Sequence, residues 1–265
     1  MKGTWLIRPG SLSRPFVIAH RGMSGVAPEN TLEAFAMARD AGADGIELDT
    51  RLTRDGVVAV MHDRRVDRTT SGAGVVGSYT MDELKRLDAG SWRDQRYAGA
   101  RVPTLDEVLE ALPKDFLINV EMKVRGVGVW SLASRVVDVV RRHDRLESTL
   151  VASFHPLALA VARLKEPQLA RGFIWSRSHP LPLRRRWLAP LAAPHWMNPD
   201  MQTFSPMLLR HLHQQGRRVL SWDVDAGADV KRLGDIGLDG VVTDHPDVVL
   251  RQWGAEVAER DPSDS

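Results

Sequence analysis

Four charged side chains stand in pairs within two apolar, strand-like runs of the sequence. Glu47 and Asp49 are two residues apart in the first run, and Glu121 and Lys123 have the same spacing in the second. Side chains two residues apart on a β-strand point to the same side, so each pair shares one face. Buried carboxylates repel one another unless a cation neutralises them, and hard cations such as Mg²⁺ or Ca²⁺ prefer oxygen ligands. The pattern predicts that the three carboxylates hold a divalent metal and that Lys123 contacts an anionic substrate oxygen.

Both pairs also have a structural interpretation that needs no ligand. Glu47 and Asp49 would fit the solvated edge of a strand, or a pair neutralised by an arginine. Glu121 would fit a plain ion pair with Lys123. The first pair alone does not decide between these interpretations, but two acid-bearing strand ends in adjacent units favour the metal.

Two histidines follow β-rich runs and are suited to proton transfer. His20 is followed by Arg21 and Gly22, and His62 is followed by Asp63. An imidazole has an unperturbed pKa of about 6.5, which suits a general acid or base near neutral pH. An arginine binds phosphate, a glycine lets a backbone approach closely, and Asp63 can orient the His62 ring. The pattern predicts that His20 and His62 act as a proton-transfer pair beside an anion.

A metal, two cationic side chains and two histidines around one anion are typical of a site that cleaves a phosphoester. The cations stabilise charge on the phosphoryl oxygens, and the histidines move protons. The sequence has no Walker-type phosphate loop, which argues against nucleoside triphosphate chemistry. It also has no cysteine, which excludes disulfides and thiolate metal sites.

The segments that position these residues alternate between short β-rich runs and helical patterns, which is typical of parallel strands joined by crossover helices. The helical periodicity is clearest after the third and seventh runs. Eight such units in a chain of 265 residues predict an α/β fold, a closed (β/α)₈ TIM barrel. The eight predicted strands are Phe16–Ala19, Gly45–Asp49, Phe116–Glu121, Leu150–Ser153, Gly172–Trp175, His195–Asn198, Val219–Val224 and Gly240–Thr243, of which the sixth has the weakest pattern.

One stretch, at about residues 51–103, departs from the strand–helix alternation. A turn signal at residues 53–56 and a second β-run at 57–61 predict a hairpin, followed by a glycine-rich loop and a short helix. We expect this insertion to lie over the barrel mouth. The barrel is predicted to form a single domain at residues 1–259, and the polar tail at 260–265 is predicted to be disordered.

Helix starts are marked by capping residues. Asn30 and Thr31 precede the first predicted helix, and Gly42 suits its end. Thr80 and Thr104 each have a glutamate three residues later, which predicts two capping boxes with purely structural acids.

Composition and charge narrow the function classes further. A formal net charge of +2 gives no reason to expect nucleic acid or an acidic membrane surface as a partner. No apolar window is long enough for a signal-peptide core or a transmembrane helix, so a cytoplasmic location is expected.

The motifs of the chain resemble the glycerophosphodiester phosphodiesterase family (GDPD). The order and spacing agree over nearly the whole chain, which makes the resemblance highly specific. The matching motifs are His20-Arg21-Gly22, Ala27-Pro28-Glu29-Asn30-Thr31, Gly42–Asp49, Thr53-Arg54-Asp55-Gly56, His62-Asp63, Arg68-Thr69-Thr70, Leu87-Asp88-Ala89-Gly90, Val102-Pro103-Thr104-Leu105, Glu121-Met122-Lys123, Ser153-Phe154 and Asp239–Pro246.

The resemblance implies a barrel of the phospholipase-C-like phosphodiesterase type and release of glycerol 3-phosphate and an alcohol from a small-molecule glycerophosphodiester. It implies a divalent metal, Mg²⁺ or Ca²⁺, bound by the carboxylates, and acid–base roles for the two histidines. Phosphate contacts would come from Arg21 and Lys123, and Trp222 would line the glycerol side. The supporting positions would be Glu29, Asn30 and Asp63.

Two positions depart from the family pattern. After Trp222 the family most often has Thr-Val-Asn, whereas this chain has Asp223-Val224-Asp225, which adds negative charge if either side chain faces the pocket.

Two other functions stay open. The basic and aromatic stretch Trp175–Trp196 would suit a lipid interface, and hence a lysophospholipase-D-like activity, although a solvated surface is the better interpretation. A catalytically silent, ligand-binding barrel is the alternative from another class. The oligomeric state and the preferred head group are not predicted.

Overall fold

The structure is a computed structural model that describes residues 4–7, 14–124, 128–176, 189–222, 224 and 230–259. Its strands are β1 (Phe16–Ala19), β2 (Gly45–Leu52), β3 (Val58–Val60), β4 (Leu117–Met122), β5 (Thr149–Ser153), β6 (Ala170–Trp175), β7 (Trp196–Pro199), β8 (Arg218–Ser221) and β9 (Gly240–Thr243). Its α-helices are α1 (Leu32–Asp40), α2 (Met81–Leu84), α3 (Leu105–Ala111), α4 (Val129–Arg142), α5 (Pro156–Lys165), α6 (Ala189–Ala192), α7 (Pro206–Gln214), α8 (Val230–Asp235) and α9 (Pro246–Glu259).

Eight of the strands close into a parallel barrel. Each strand from β4 to β9 pairs in parallel with the next, β2 pairs with β4, and β1 pairs in parallel with both β9 and β2, which closes the ring. The predicted (β/α)₈ barrel is therefore confirmed. The register aligns Glu47 with Asn119 and Asp49 with Glu121, so the acidic residues of two neighbouring strands meet at one level.

The predicted hairpin, loop and short helix are present after β2. β3 pairs antiparallel with the end of β2, and Gly56 supplies the left-handed turn residue between them, at φ 78°. The segment then contains α2 and two single-turn 3₁₀ helices, at Val76–Ser78 and Gln95–Tyr97. It packs around a small apolar cluster of its own that includes Met61 and Leu84. This cluster fixes the loops that carry residues 62–70.

Several predicted bounds are corrected by the structure. Strand β2 continues to Leu52 because its end pairs with β3. Strand β8 ends at Ser221 instead of Val224, and Trp222 forms only an isolated bridge to Asp200. The sixth barrel strand runs from Trp196 to Pro199, one residue later than predicted.

The helix caps largely follow the sequence pattern. Both capping boxes, at Thr80 and at Thr104, are present. At α1 the cap is Thr31, whose hydroxyl accepts a hydrogen bond from the Ala34 amide. Asn30 does not cap this helix, because its side chain binds within the barrel mouth instead.

The amino-terminal end of the barrel is filled by aromatic packing. Trp5 is fully buried there and its Nε1 donates to the Ser148 carbonyl at 3.0 Å. Its ring packs edge-on against Trp196, whose own Nε1 donates to the Trp5 carbonyl at 2.8 Å. Ile18, Leu117 and other inward side chains complete this apolar layer. The polar side chains of the barrel interior lie above it, toward the carboxyl ends of the strands.

Within the described part of the chain, no helix combines the length and the hydropathy needed to cross a membrane.

Candidate active site

Three buried carboxylates meet at the carboxyl ends of β2 and β4. Glu47, Asp49 and Glu121 are each less than 10% exposed, and each offers an oxygen that lies within 4.8 Å of the others. Strand alternation places Glu47 and Asp49 on one face, and parallel register places Glu121 beside Asp49. The cluster predicted from the sequence is therefore brought together by the fold.

Two cationic side chains reach this cluster. Lys123 Nζ lies 2.8 Å from Glu121 and 3.1 Å from Asp49, and Arg21 Nε lies 3.3 Å from Asp49. The ion pairs of the structural interpretation thus exist, but they are parts of one cluster and not isolated surface pairs. Burial favours the neutral form of Asp49, yet Lys123 and Arg21 outweigh it and hold its pKa well below the usual range.

The cluster can hold a divalent metal ion. Burial, together with the charge of Asp49, raises the pKa of Glu47 to about 8. This shift indicates that the positive charges of Lys123 and Arg21 do not neutralise all three carboxylates. Burial also raises the pKa of Glu121 despite its contact with Lys123. The donors are all carboxylate oxygens, which are the ligands of hard cations. The residues present therefore fit such an ion.

Two residues beside the cluster adopt left-handed backbone conformations that are rare outside glycine. Arg21 has φ 54° and Asn30 has φ 58°, and the Asn30 amide donates to the Arg21 carbonyl at 2.9 Å. The turn points the Arg21 amide at Glu47, 3.1 Å away, while Asn30 exchanges two hydrogen bonds with Asp49. Strain of this kind collects at functional sites, where the surrounding structure enforces it.

Gly22, next along the chain, has a packing role that differs from the expected approach to an anion. A Cβ added there would lie 2.7 Å from the backbone of Ala34, so helix α1 packs directly against this turn. The glycine, at φ 81°, allows the helix to approach the site.

His20 lies at the end of β1 and is held by an aspartate from the end of β9. Its Nδ1 is 2.7 Å from Asp244, and its Nε2 is 4.0 Å from Glu47. Burial by itself would lower the pKa of His20, but the hydrogen bond to Asp244 and the charge of Glu47 together raise it. Ser24 donates to the same Asp244 oxygen at 2.7 Å. Neither Asp244 nor Ser24 was predicted as a site residue, although Asp244 directly follows the last barrel strand.

His62 follows β3 and has a matching arrangement. Its Nδ1 lies 2.7 Å from Asp63, and its backbone carbonyl accepts hydrogen bonds from Arg51. Burial lowers the pKa of His62, and the nearby Lys123 and Arg21 contribute to this shift. In both histidines an aspartate occupies Nδ1, which leaves Nε2 as the nitrogen that can meet a substrate. The pKa is thus raised in His20 and lowered in His62, so His20 holds a proton more firmly than His62 does.

Arg68, from the insertion, links the predicted supporting residues. Its guanidinium donates to Asp63 at 2.7 Å and to Glu29 at 2.6 and 2.8 Å. Glu29 in turn accepts from Arg21 at 2.9 Å. Arg68 belongs to the Arg68-Thr69-Thr70 motif but was not predicted as a site residue. Its contact with Glu29 joins residues 39 positions apart in the sequence, which only the fold brings together.

A cavity of about 220 Å³ opens beside these groups. Phe154 and Trp222 line it as an edge-on aromatic pair with centroids 6.0 Å apart, and Trp222 Nε1 donates to the Asn198 carbonyl at 3.0 Å. Both histidines, Glu47, Glu121, Arg21 and Lys123 also line it. The side-chain carbonyl oxygens of Asn119 and Asn198 are buried and have no hydrogen-bond partner within the described structure. Neither asparagine was predicted as a site residue. Asn119 lies two residues before Glu121 on the same strand and shares its face, whereas the strand of Asn198 carries no charged residue.

Three of the sequence expectations concern residues that the structure does not describe. Asp223 and Asp225 lie outside the described residues, as does the central part, 177–188, of the basic and aromatic stretch. The tail at 260–265 also lies outside them.

A closed parallel barrel that gathers its acids, bases and cations at the carboxyl ends of the strands is the arrangement of a (β/α)₈-barrel enzyme. The sequence profile of the glycerophosphoryl diester phosphodiesterase family matches residues 20–248, and the chain belongs to this family.

Known proteins similar to the chain agree with this assignment. A glycerophosphodiester phosphodiesterase of Caldanaerobacter subterraneus subsp. tengcongensis is 36% identical, over 89% of this chain and 97% of that protein. A probable glycerophosphodiester phosphodiesterase 1 of Mycobacterium tuberculosis is 32% identical, over 88% and 90%. A solved structure of an Oleispira antarctica phosphodiesterase, in complex with the product sn-glycerol-3-phosphate, has a TM-score of 0.83 and 31% identity, covering 91% of this chain and 97% of that one.

Proposed function

We propose that this chain hydrolyses glycerophosphodiesters to glycerol 3-phosphate and an alcohol, through a divalent metal ion and the pair His20 and His62. The observation that carries the proposal is that two aspartate-held histidines line one cavity together with Glu47 and Glu121 of the buried acidic cluster. The product bound to the Oleispira antarctica phosphodiesterase supports the same substrate class.

The cationic groups define where the phosphoryl group binds. An ion such as Mg²⁺ or Ca²⁺, bound by Glu47, Asp49 and Glu121, would supply positive charge to the phosphoryl oxygens. Lys123 and Arg21 already contact the same cluster and would hold the remaining oxygen charge. Glu29 and Asn30 support this placement by fixing Arg21 and Asp49.

The histidines would move the protons of the reaction. One ring takes the proton of the attacking oxygen, and the other gives a proton to the leaving alcohol oxygen. Asp63 and Asp244 keep the Nδ1 atoms occupied, so that transfer is confined to Nε2. The attacking oxygen is either water or the neighbouring glycerol hydroxyl, and both routes use the same histidines.

The aromatic side of the cavity would take the glycerol portion. Trp222 and Phe154 present apolar faces to its carbons, and the buried Asn119 and Asn198 oxygens can accept hydrogen bonds from its hydroxyls. A small polyol with a phosphate thereby satisfies groups that are otherwise left without partners.

The test is release of glycerol 3-phosphate from glycerophosphocholine and glycerophosphoethanolamine with Mg²⁺, with Ca²⁺ and with EDTA. We expect turnover that requires a metal and falls at least about 10²-fold in both His20→Ala and His62→Ala. His143→Ala is the matched control, since His143 also pairs with an aspartate, Asp106, but lies outside the cavity. Detection of a cyclic phosphate by phosphorus NMR would decide between the two attacking groups.

Folded protein without turnover on any glycerophosphodiester would contradict the proposal. Turnover of lysolipids in its place would then favour the lysophospholipase-D-like alternative, and failure there would leave a silent binding barrel.

A cytoplasmic location and a single domain ending at residue 259 stay predictions, which cell fractionation and limited proteolysis can check.

A further inference from the structure

A second cavity of about 460 Å³ lies beside the catalytic one. It is formed by the end of β2, residues 75–77 of the insertion and the start of the β4–α4 connection. Lys123 lines both cavities, so this second cavity borders the place where the phosphoryl group is expected.

The second cavity combines cationic side chains with an apolar wall. Arg51, Arg64 and Lys123 supply its charge, while Leu52, Val76 and Leu132 supply carbon surface. No carboxylate belongs to its described lining. Cationic side chains beside apolar surface favour a ligand that has a carbon chain and a negative charge.

The three cations are held differently. Lys123 is held by Asp49 and Glu121, and the Arg51 guanidinium donates to the His62 carbonyl at 2.9 and 2.5 Å. Arg64 is exposed and makes no ion pair within the described structure, while its backbone carbonyl is fixed by a 2.9 Å hydrogen bond from the Val76 amide. Arg64 is thus the cation of this cavity that is best placed to meet a charged ligand.

The second cavity lies on the side of the barrel opposite the proposed glycerol side. A phosphodiester has two ester arms, and the glycerol arm is proposed to lie against Trp222, next to β8. In the ring of eight strands β8 is opposite β4, from which Lys123 follows. We propose that the second cavity binds the alcohol arm of the substrate and that Arg64 and Arg51 make it prefer alcohols carrying an anionic group over those carrying a quaternary ammonium. This inference rests on the proposed phosphodiesterase activity.

Three synthetic diesters test the preference directly. They are sn-glycerol 3-phosphate esterified with 4-hydroxybutyrate, with 1-butanol and with choline, which carry negative, zero and positive charge on the alcohol. We expect kcat/KM to fall in that order, with about a tenfold difference between the anionic and the cationic ester. Raising the salt concentration should reduce the difference, because the exposed Arg64 charge is screened.

A matched pair of variants assigns the effect to Arg64. Arg64→Gln should lower the ratio of kcat/KM for the anionic over the neutral ester by about three- to fivefold, and Arg64→Glu should turn the preference toward the choline ester. Arg65→Gln removes the same charge one residue away, where the side chain pairs with Asp67 and does not line the cavity. This control should keep the wild-type ratio.

The outcomes separate the two proposals. Equal kcat/KM for the three esters, or the same ratio in Arg64→Glu as in the wild type, would overturn the inference while leaving the phosphodiesterase activity in place. A loss of preference in Arg65→Gln equal to that in Arg64→Gln would also overturn it. Failure to hydrolyse any of the three esters would contradict the proposed function itself.

Discussion

The guanidinium of Arg68 lies 2.7 Å from Asp63, on the carboxylate whose other oxygen holds Nδ1 of His62. Through its other nitrogens Arg68 also holds Glu29, which contacts Arg21. One residue of the insertion therefore positions a proposed proton-transfer group and a proposed phosphate contact, although it lines neither cavity.

Replacing Arg68 should reduce catalysis without unfolding the protein. In Arg68→Ala both carboxylates lose charge-assisted hydrogen bonds, and we expect kcat/KM to fall about tenfold or more. Arg68→Lys should recover part of the loss, since a lysine can bind one carboxylate but not both at once. Steady-state kinetics across pH checks this, because loosening Asp63 should also move the pH profile assigned to His62.

Arg65→Ala is the control for that prediction. Arg65 is an exposed arginine of the same loop, and its ion pair with Asp67 lies outside the site. If both alanine variants lost the same activity, with the same pH profile, the positioning role of Arg68 would be wrong.

Divalent ions should stabilise the fold through the acidic cluster. At an ion concentration about 100 times Kd, binding to the folded state adds about 2.7 kcal/mol, which raises Tm by about 5 °C or more. In Glu47→Gln one ligand oxygen loses its charge, so most of this rise should disappear. Thermal unfolding with Mg²⁺, Ca²⁺ and EDTA measures the effect without relying on turnover.

The comparison variant for the metal is Glu33→Gln, which changes a glutamate of the first turn of α1. It should keep the full rise in Tm. An equal rise in the wild type and in Glu47→Gln would show that the ions act elsewhere on the protein.

The aromatic packing below the site should contribute measurably to the stability of the barrel. Trp5→Ala removes a fully buried side chain that contacts Trp196 and Phe16, and we expect a loss of about 3 kcal/mol in the free energy of unfolding. Trp130→Ala is the matched control, since Trp130 is 55% exposed, and it should change the free energy by about 0.5 kcal/mol or less. Urea denaturation compares them. Equal midpoints for Trp5→Ala and the wild type would contradict this packing.

Acid should destabilise the protein through His195. Burial, followed by the charges of Arg171, Arg218 and Arg217, lowers the pKa of His195 to about 4. Its Nδ1 also accepts a hydrogen bond from the Arg171 amide at 3.2 Å, which requires an unprotonated Nδ1. Because the folded pKa lies below the unfolded value of about 6.5, this stability is fully present above pH 6.5 and is lost as the pH falls toward 4.

The variant His195→Asn isolates the contribution of His195 to the pH dependence of stability, since the asparagine oxygen can accept the same backbone hydrogen bond. Between pH 7 and pH 4.5 the wild type should lose about 2 kcal/mol more unfolding free energy than the variant. Chemical denaturation at a series of pH values gives both curves. Parallel curves would mean that His195 does not titrate differently in the folded and unfolded protein.

Much of the fold follows from local patterns in the sequence. Strand runs, glycine turns and capping residues act over a few neighbouring residues, so the alternation of elements, both capping boxes and the β2–β3 hairpin were predictable. The weak pattern at His195–Asn198 still marked a strand, displaced by one residue. The end of β8 was missed because pairing with a neighbouring strand, which no local pattern records, decides where a strand stops.

The sequence by itself determined which residues carry chemistry: strand alternation put Glu47 and Asp49 on one face, and the motifs marked His20, His62, Glu121 and Lys123. Only the tertiary structure decided which partners these residues have. Asp244 reaches His20 from 224 residues away, and Arg68 of the insertion joins Asp63 to Glu29, which lies 39 residues before it. Such contacts depend on barrel closure and strand register, which arise from the packing of the whole chain, so spacing along the sequence does not record them.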